Sequence, residues 1–143
     1  MQAVQIHNGF FLVFERGEEL IETLTRFCEE NEVHWGQFQA IGTIEDVEIG
    51  YYDLETRQYV FRDEEGPFEV ASMDGNIAEI EERPLVHVHA TLSHCDETLM
   101  TIGGHIKSAR IAFTLELCLW FVSQPLLRTY DDETGLNLIN LQP

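Results

Sequence analysis

The chain has 143 residues, of which 44% are hydrophobic, which suits one domain with a buried core and excludes a disordered chain. Twenty-six acidic residues against eight lysines and arginines give a formal net charge of −18. Phosphate backbones are bound mainly through lysine and arginine, so this charge predicts no direct binding to nucleic acid. No apolar run approaches the ~20 residues that cross a membrane, which predicts no membrane partner.

The three cysteines, Cys28, Cys95 and Cys118, are odd in number, far apart and outside any CxxC motif. They indicate free thiols in a reducing compartment rather than a disulfide framework. The amino terminus also lacks the basic and apolar regions of a signal peptide. We therefore expect a cytoplasmic protein.

The first elements predicted along the chain are a strand and a helix. Residues 4–14 are rich in aromatic and branched side chains, as is typical of a strand. Glu18 and Glu19 favour the amino terminus of a helix, and Asn31 is predicted to end it. Between them the apolar residues form one helical stripe: Leu20, Ile21, Leu24, Phe27 and Cys28.

The rest of the chain predicts strands, over residues 35–41, 44–52, 58–62, 68–73, 77–80, 85–93 and 110–122. Asp74-Gly75-Asn76 separates two of these strands and predicts a hairpin turn. The second half of 110–122 is apolar on both faces, so we expect this strand to be central or covered by a partner subunit. The predicted class is α+β: a single compact domain over residues 1–143, with a largely antiparallel sheet and one main amphipathic helix.

The most informative motif is a histidine pair, His87 and His89, followed by His105 after two glycines. Alternate residues of a strand share a face, which places the first two imidazoles about 7 Å apart along the strand. Glycine permits backbone turns, so Gly103-Gly104 is predicted to turn the third histidine towards them. Three protein ligands with an open position are typical of a catalytic zinc site. The alternative is a solvent-facing polar strand without a metal.

The other three histidines, His7, His34 and His94, are not predicted to be ligands. His7 and His34 precede Asn-Gly and Trp-Gly and suit turn or edge positions. His94 lies beside two acidic residues and is expected to be solvated in a loop.

Glu116 is a candidate catalytic residue because it interrupts an otherwise apolar strand. A buried carboxylate needs a compensating partner, such as a metal-bound water or a ligand histidine. It would then act as a general base or hold a ligand in place. The alternative is a structural ion pair with Arg110, and the sequence leaves both open.

Several motifs together resemble the plants-and-prokaryotes-conserved (PPC) domain in its stand-alone prokaryotic form. The resemblance covers nearly the whole chain and rests on Gly17-Glu18-Glu19-Leu20, Ile41-Gly42, Gly50-Tyr51-Tyr52-Asp53, 69–75, His87-Val88-His89, Gly103-Gly104-His105 and Thr114-x-Glu116. It implies an α+β fold, a homotrimer and a metal held by His87, His89 and His105. The wider fold group is similar to acetolactate decarboxylase, which also binds zinc with an HxH pair and a later histidine.

Two departures from this family bear on function. Plant members carry Arg-Gly-Arg-Pro hooks that bind DNA, whereas the only Arg-Gly here is Arg16-Gly17. Prokaryotic relatives commonly have an arginine in the first strand, where this chain has Leu12-Val13-Phe14. A site that used that arginine to hold an anionic substrate would therefore be altered.

Three functions remain open from the sequence. The first is a metal-dependent lyase or hydrolase, in which zinc lowers the pKa of a bound water to about 7. The second is a module that binds or senses a small molecule through the same metal without turnover. The third is a non-catalytic trimerisation or regulatory module that reaches DNA through a partner. Three-histidine sites also accept manganese, iron, cobalt or nickel.

Overall fold

The computed structural model describes residues 1–141, which form nine strands and one helix. The elements in chain order are β1 (Gln2–Ile6), β2 (Gly9–Glu15), α1 (Leu20–Glu30), β3 (Gly36–Asp53), β4 (Gln58–Glu64), β5 (Phe68–Ile80), β6 (Arg83–His94), β7 (Thr101–Phe121), β8 (Leu127–Asp131) and β9 (Leu136–Asn140). The chain is thus mostly antiparallel β-sheet with one helix. In the described part, no helix combines the length and apolarity that a membrane span requires.

Four strands close into a ring. β3 pairs with β5 and β7, and β6 pairs with the same two strands from the other side. The β1–β2 hairpin extends the sheet from β7, and β4 extends it from β3. The β8–β9 hairpin joins the edge of β5 through one parallel pairing, Glu79 with Leu127. Closure gives the sheet an inner face, which forms the core, and an outer face.

The helix lies where the apolar stripe predicted it. α1 begins after Glu19, whose side chain accepts the backbone N–H of Glu22, and ends at Asn31. This acceptor satisfies one of the free N–H groups at the start of the helix. The stripe packs into the core and against β6 and β7 through Leu20, Leu24, Phe27 and Cys28.

β7 is the central strand of the fold, as its apolar second half predicts. It lies between β2 and β3 and begins at Thr101, well before the predicted start at residue 110. Gly103 and Gly104 are therefore inside a strand, and the prediction that they form a turn is wrong. A Cβ on Gly104 would lie 2.4 Å from the backbone oxygen of Gly50. The glycine is needed for close approach of β7 to β3 rather than for a turn.

Further boundaries differ from the sequence-based expectation, and the two strands predicted over 35–41 and 44–52 are one strand, β3. The predicted hairpin at Asp74-Gly75-Asn76 is wrong, because β5 runs through it without a break. A Cβ on Gly75 would lie 2.2 Å from Cζ of Phe38, so this glycine makes room for a buried ring. The strand predicted over 4–14 is a hairpin, β1 and β2, which turns at His7 and Asn8.

Candidate metal centre

The structure brings the three predicted histidines together on the outer face of the sheet. His87 and His89 alternate along β6, and His89 is paired directly with His105 of β7. One ligand nitrogen from each imidazole lies within 4.8 Å of the others. His87 Nε2 and His105 Nδ1 are 3.2 Å apart, and the rings of His89 and His105 have centroids 4.0 Å apart. The buried residues of β6, Val88 among them, point to the opposite face, as the alternation predicts.

The triad has the dimensions that a small transition metal ion requires. Tetrahedral zinc with Zn–N bonds of about 2.05 Å places its ligand nitrogens about 3.3 Å apart. The 3.2 Å separation of His87 and His105 already matches one such edge. Small rotations of the rings would bring the remaining nitrogen separations into the same range. Three imidazoles leave at least one position for a small molecule, and they suit zinc and several neighbouring metals.

Two of the imidazoles are held in the neutral form. Burial lowers the pKa of His87 to about 4, and the charges of Arg128, His105 and His89 act in the same direction. Burial, with a smaller effect of His89, also lowers the pKa of His105. A metal must displace a proton from a protonated imidazole before it can bind. At neutral pH these two rings are free of that competition.

Side chains around the triad hold its rings in place. Arg128 Nη2 donates to His87 Nδ1 at 3.3 Å and to Oδ1 of Asn76 at 3.0 Å. Asn76 is the residue of β5 directly opposite His87. Tyr59 of β4 meets the ring of His105 edge-on, with centroids 5.2 Å apart. These contacts restrict the rotation of the His87 and His105 rings. A histidine that binds a metal through Nε2 normally carries its proton on Nδ1 and donates it, so Arg128 would give up its bond to Nδ1 when a metal binds there.

The sequence analysis missed Arg128, Asn76 and Tyr59. Arg128 lies on the β8–β9 hairpin, which was not predicted. The sequence pattern that could have indicated this hairpin is a turn at Gly135 between two short stretches rich in leucine. In the structure Gly135 has a φ of 77°, as such a turn requires. A turn residue between apolar runs is a recognised hairpin pattern.

A cavity of about 420 Å³ adjoins the triad and is bordered by His87 and His105. The end of β3 and the turn that follows it dock against the β8–β9 turn to form its wall. Tyr52 Oη donates to the backbone oxygen of Thr134 at 2.8 Å, and Arg57 Nη1 donates to that of Asp132 at 3.2 Å. The β8–β9 hairpin therefore covers one side of the histidines and limits access to small molecules.

The structure does not bring Glu116 to the triad within one chain. Within one chain Glu116 is exposed on the outer face of β7, opposite Val13 and Ile41, so the chain's own fold does not bury it as expected. The path from β7 to His89 crosses β3 and β5, and about 4.8 Å per strand makes this roughly 14 Å. The alternative pair with Arg110 is also absent from the described ion pairs, since Arg110 Nε contacts Asp46 Oδ2 at 3.2 Å.

The remaining histidines lie away from the triad. His7 is exposed in the turn between β1 and β2, and His34 Nδ1 lies 3.2 Å from a carboxylate oxygen of Glu79. His94 is the last residue of β6, where its ring packs on Phe68 with centroids 4.8 Å apart. The expectation of a solvated loop position for His94 is therefore wrong, because the strand extends further than its polar sequence indicates.

The sequence matches the model of the Plants and Prokaryotes Conserved (PCC) domain over residues 1–122. The chain belongs to this family. All three histidines lie inside the matched region of the PCC domain, whereas the β8–β9 hairpin lies beyond it.

Solved structures share the whole fold of this PCC domain. A metal-containing protein from Archaeoglobus fulgidus is 31% identical, with a TM-score of 0.85 over 96% of each chain. A candidate DNA-binding protein from Ralstonia eutropha JMP134 is 25% identical, with a TM-score of 0.89 over 98% of this chain and 96% of that one. A plant- and prokaryote-conserved protein from Pyrococcus horikoshii is 24% identical, with a TM-score of 0.85 over 99% and 95% of the two chains. Among curated proteins, no sequence matches the chain significantly.

Proposed function

We propose that this PCC domain binds one divalent transition metal ion, zinc foremost, through His87, His89 and His105, and uses it to bind or transform a small molecule. The observation that carries the proposal is the convergence of three imidazole nitrogens within 4.8 Å on the outer face of the sheet. The similarity to a protein described as metal-containing, at 31% identity, adds support.

When bound, such a metal supplies a Lewis acid that polarises oxygen-bearing groups of a substrate. The residues of the chain contribute neutral ligands, ring orientation through Tyr59, and a cavity that excludes large substrates. A lyase or hydrolase acting on a small molecule fits this arrangement, in line with the proposed relation to the acetolactate decarboxylase fold group. The cytoplasmic location expected from the sequence is part of the same proposal.

The metal site is tested by titrating chelator-treated, tag-free protein with Co²⁺. We expect uptake of about one ion per chain, with the visible absorption of a site that has four or five ligands and nitrogen donors. Zn²⁺ added afterwards should displace the cobalt and remove the absorption. Uptake far below one ion per chain at a saturating concentration would contradict the proposal.

A homotrimer is the second part of the proposal. The outer face of the sheet leaves large apolar side chains uncovered, among them Val4 at 60% exposure, Ile41 at 62% and Trp120 at 37%. Glu116 lies on this face beside Ile41, so any contact between Glu116 and a metal centre must come from another copy of the chain. A patch of this kind is typical of a protein interface.

Light scattering tests the assembly. At micromolar concentration we expect a mass about three times the 16.5 kDa of the chain, because the family resemblance implies three copies and burial of the apolar face favours their association. Replacement of Ile41 with aspartate should shift the mass towards the monomer, since a carboxylate cannot be buried without a partner. A monomer mass for the unaltered protein would exclude the trimer.

The alternative is a non-catalytic regulatory module associated with DNA, which the descriptions of the Ralstonia eutropha protein and of a similar protein from Bacteroides thetaiotaomicron favour. The net charge of −18 opposes direct contact with a phosphate backbone. A DNA association of this PCC domain would therefore need a basic partner protein.

A further inference from the structure

We propose that the cavity beside the histidines binds a small carboxylic acid, with Arg128 as the residue that recognises its carboxylate. The proposal rests on the metal site proposed above and names the class of molecule that this site takes. Its basis is the charge of the cavity, the hydrogen bonds of Arg128 and the β8–β9 hairpin, which carries Arg128 and forms part of the cavity wall.

The cavity differs in charge from the rest of the protein. Two arginines, Arg57 and Arg128, border it together with His87 and His105, and none of its described lining residues is an aspartate or a glutamate. In the whole chain, acidic residues outnumber lysines and arginines 26 to 8. A local group of positive charge in a negative protein attracts an anion to one place and repels it elsewhere.

Arg128 has no carboxylate partner in the described chain. Three other arginines pair with carboxylates, as in the contacts of Arg62 with Glu64 at 2.8 Å and Arg110 with Asp46 at 3.2 Å. Arg128 instead donates only to neutral groups: the backbone oxygen of Asn137 at 2.8 Å, Asn76 and His87.

The guanidinium of Arg128 also retains hydrogen-bonding capacity. Its Nε is buried and has no partner among residues 1–141. A half-buried charge without a counter-ion is unfavourable, and an unsatisfied buried donor adds to that cost. An anion that entered the cavity would supply the missing counter-ion, with the Nη atoms as its donors.

A carboxylate is the anion that fits this donor best. The planar guanidinium matches the two oxygens of a carboxylate. A cavity of about 420 Å³ admits a small organic acid. Since His87 also borders the cavity and contacts Arg128, an acid bound there places its other oxygens towards the metal site.

The cavity on the other side of His87 does not suit an anion. It is bordered by His87 and His89 and by Asp74, whose pKa is lowered by hydrogen bonds from Gln39 and Ser72. Asp74 therefore stays ionised and repels a carboxylate. This contrast assigns the acid to the cavity that contains Arg128.

The residue that recognises the acid lies outside the matched family region. That region ends at residue 122, and Arg128 belongs to the β8–β9 hairpin that follows it. The domain thus supplies the histidines, and the hairpin supplies the group that selects the ligand.

The test compares two probes of nearly the same shape, lactate with a charged carboxylate and lactamide with a neutral amide, by calorimetry on zinc-loaded protein. We expect lactate to bind at least about tenfold more tightly, because a charged hydrogen bond contributes more than a neutral one. Arg128→Gln should remove most of this preference while it retains one metal ion per chain. Arg128→Lys, which keeps the charge but loses the planar fork, should fall between the two. Arg26→Gln, the same change on the outer side of α1, should leave the preference intact.

The outcomes separate this inference from the metal proposal. Zinc uptake with equal binding of the two probes, or with no binding of either, would overturn the carboxylate site and leave the metal site standing. Failure of the unaltered protein to take up zinc would instead count against the proposed function. Because zinc itself also favours the anion, the Arg128 variants decide whether the preference comes from this residue. If Arg128→Gln loosens the hairpin, Arg128→Lys carries that comparison.

Discussion

Replacement of His87 or His89 with alanine is expected to abolish stable metal binding. Each change removes one of three ligand nitrogens, which now converge within 4.8 Å. Residues that merely orient a ligand contribute about 10–100-fold to metal affinity, so loss of a ligand itself should cost at least about 100-fold. Metal content after dialysis should fall from about one ion per chain to near zero. Elemental analysis of the purified proteins measures this directly.

His7→Ala provides the matched control. It removes an imidazole of the same kind from an exposed turn, away from the triad, and should leave metal content unchanged. Both triad variants should also remain folded, because His89 is exposed and His87 only half-buried. Full metal retention by the two triad variants would place the ion elsewhere and refute the assignment.

Gly104→Ala is expected to lower the free energy of unfolding by about 3 kcal/mol, at the upper end of overpacking costs. The new Cβ would lie 2.4 Å from the backbone oxygen of Gly50, and a backbone atom in a paired strand cannot move aside easily. Gly104 precedes His105, which is paired with Gly50. Displacement of β7 should therefore also lower the affinity of the histidines for the metal. Urea denaturation of metal-free protein measures the first effect separately from the second.

Gly103→Ala is the neighbouring control for this change. Its Cβ would meet the backbone oxygen of Ala90 at 3.2 Å, which demands a shift of only a few tenths of an ångström. Alanine inside a strand also gains about 0.5–1 kcal/mol over glycine through lower chain entropy. The two contributions should nearly cancel, which leaves stability within about 1 kcal/mol of the unaltered protein. Equal losses for both variants would contradict the close-approach explanation of Gly104.

The sequence predicts those parts of the fold that depend on local patterns. The apolar stripe between Glu19 and Asn31 gives the helix correctly, because helix periodicity and end signals lie within a few residues of each other. Alternation along β6 correctly places His87 and His89 on the face opposite Val88. His105 joins them through the pairing of β6 with β7, whereas the sequence predicted the same placement through a turn at Gly103-Gly104 that the structure does not have.

The wrong predictions concern residues whose placement depends on contacts with residues distant in the sequence. Gly75 looks like a hairpin turn, yet it is in a strand because Phe38 occupies the space of its side chain. Glu116 looks buried between leucines, but its face of the sheet points away from the core. The sequence around Arg128 contains no motif that indicates a binding site, because only the docking of the β8–β9 hairpin brings this residue to His87.

The ring of four strands is joined least extensively between β6 and β7, where pairing covers His89 to Ser93 and Thr101 to His105. The last of these pairs is His89 with His105, two of the three proposed ligands. An ion at this position would link the two strands beyond their final backbone hydrogen bonds. In the metal-bound protein, β6 and β7 would then separate only after the ion dissociates. The rate of metal dissociation, rather than fraying of the strand ends, would therefore set the lifetime of the closed ring.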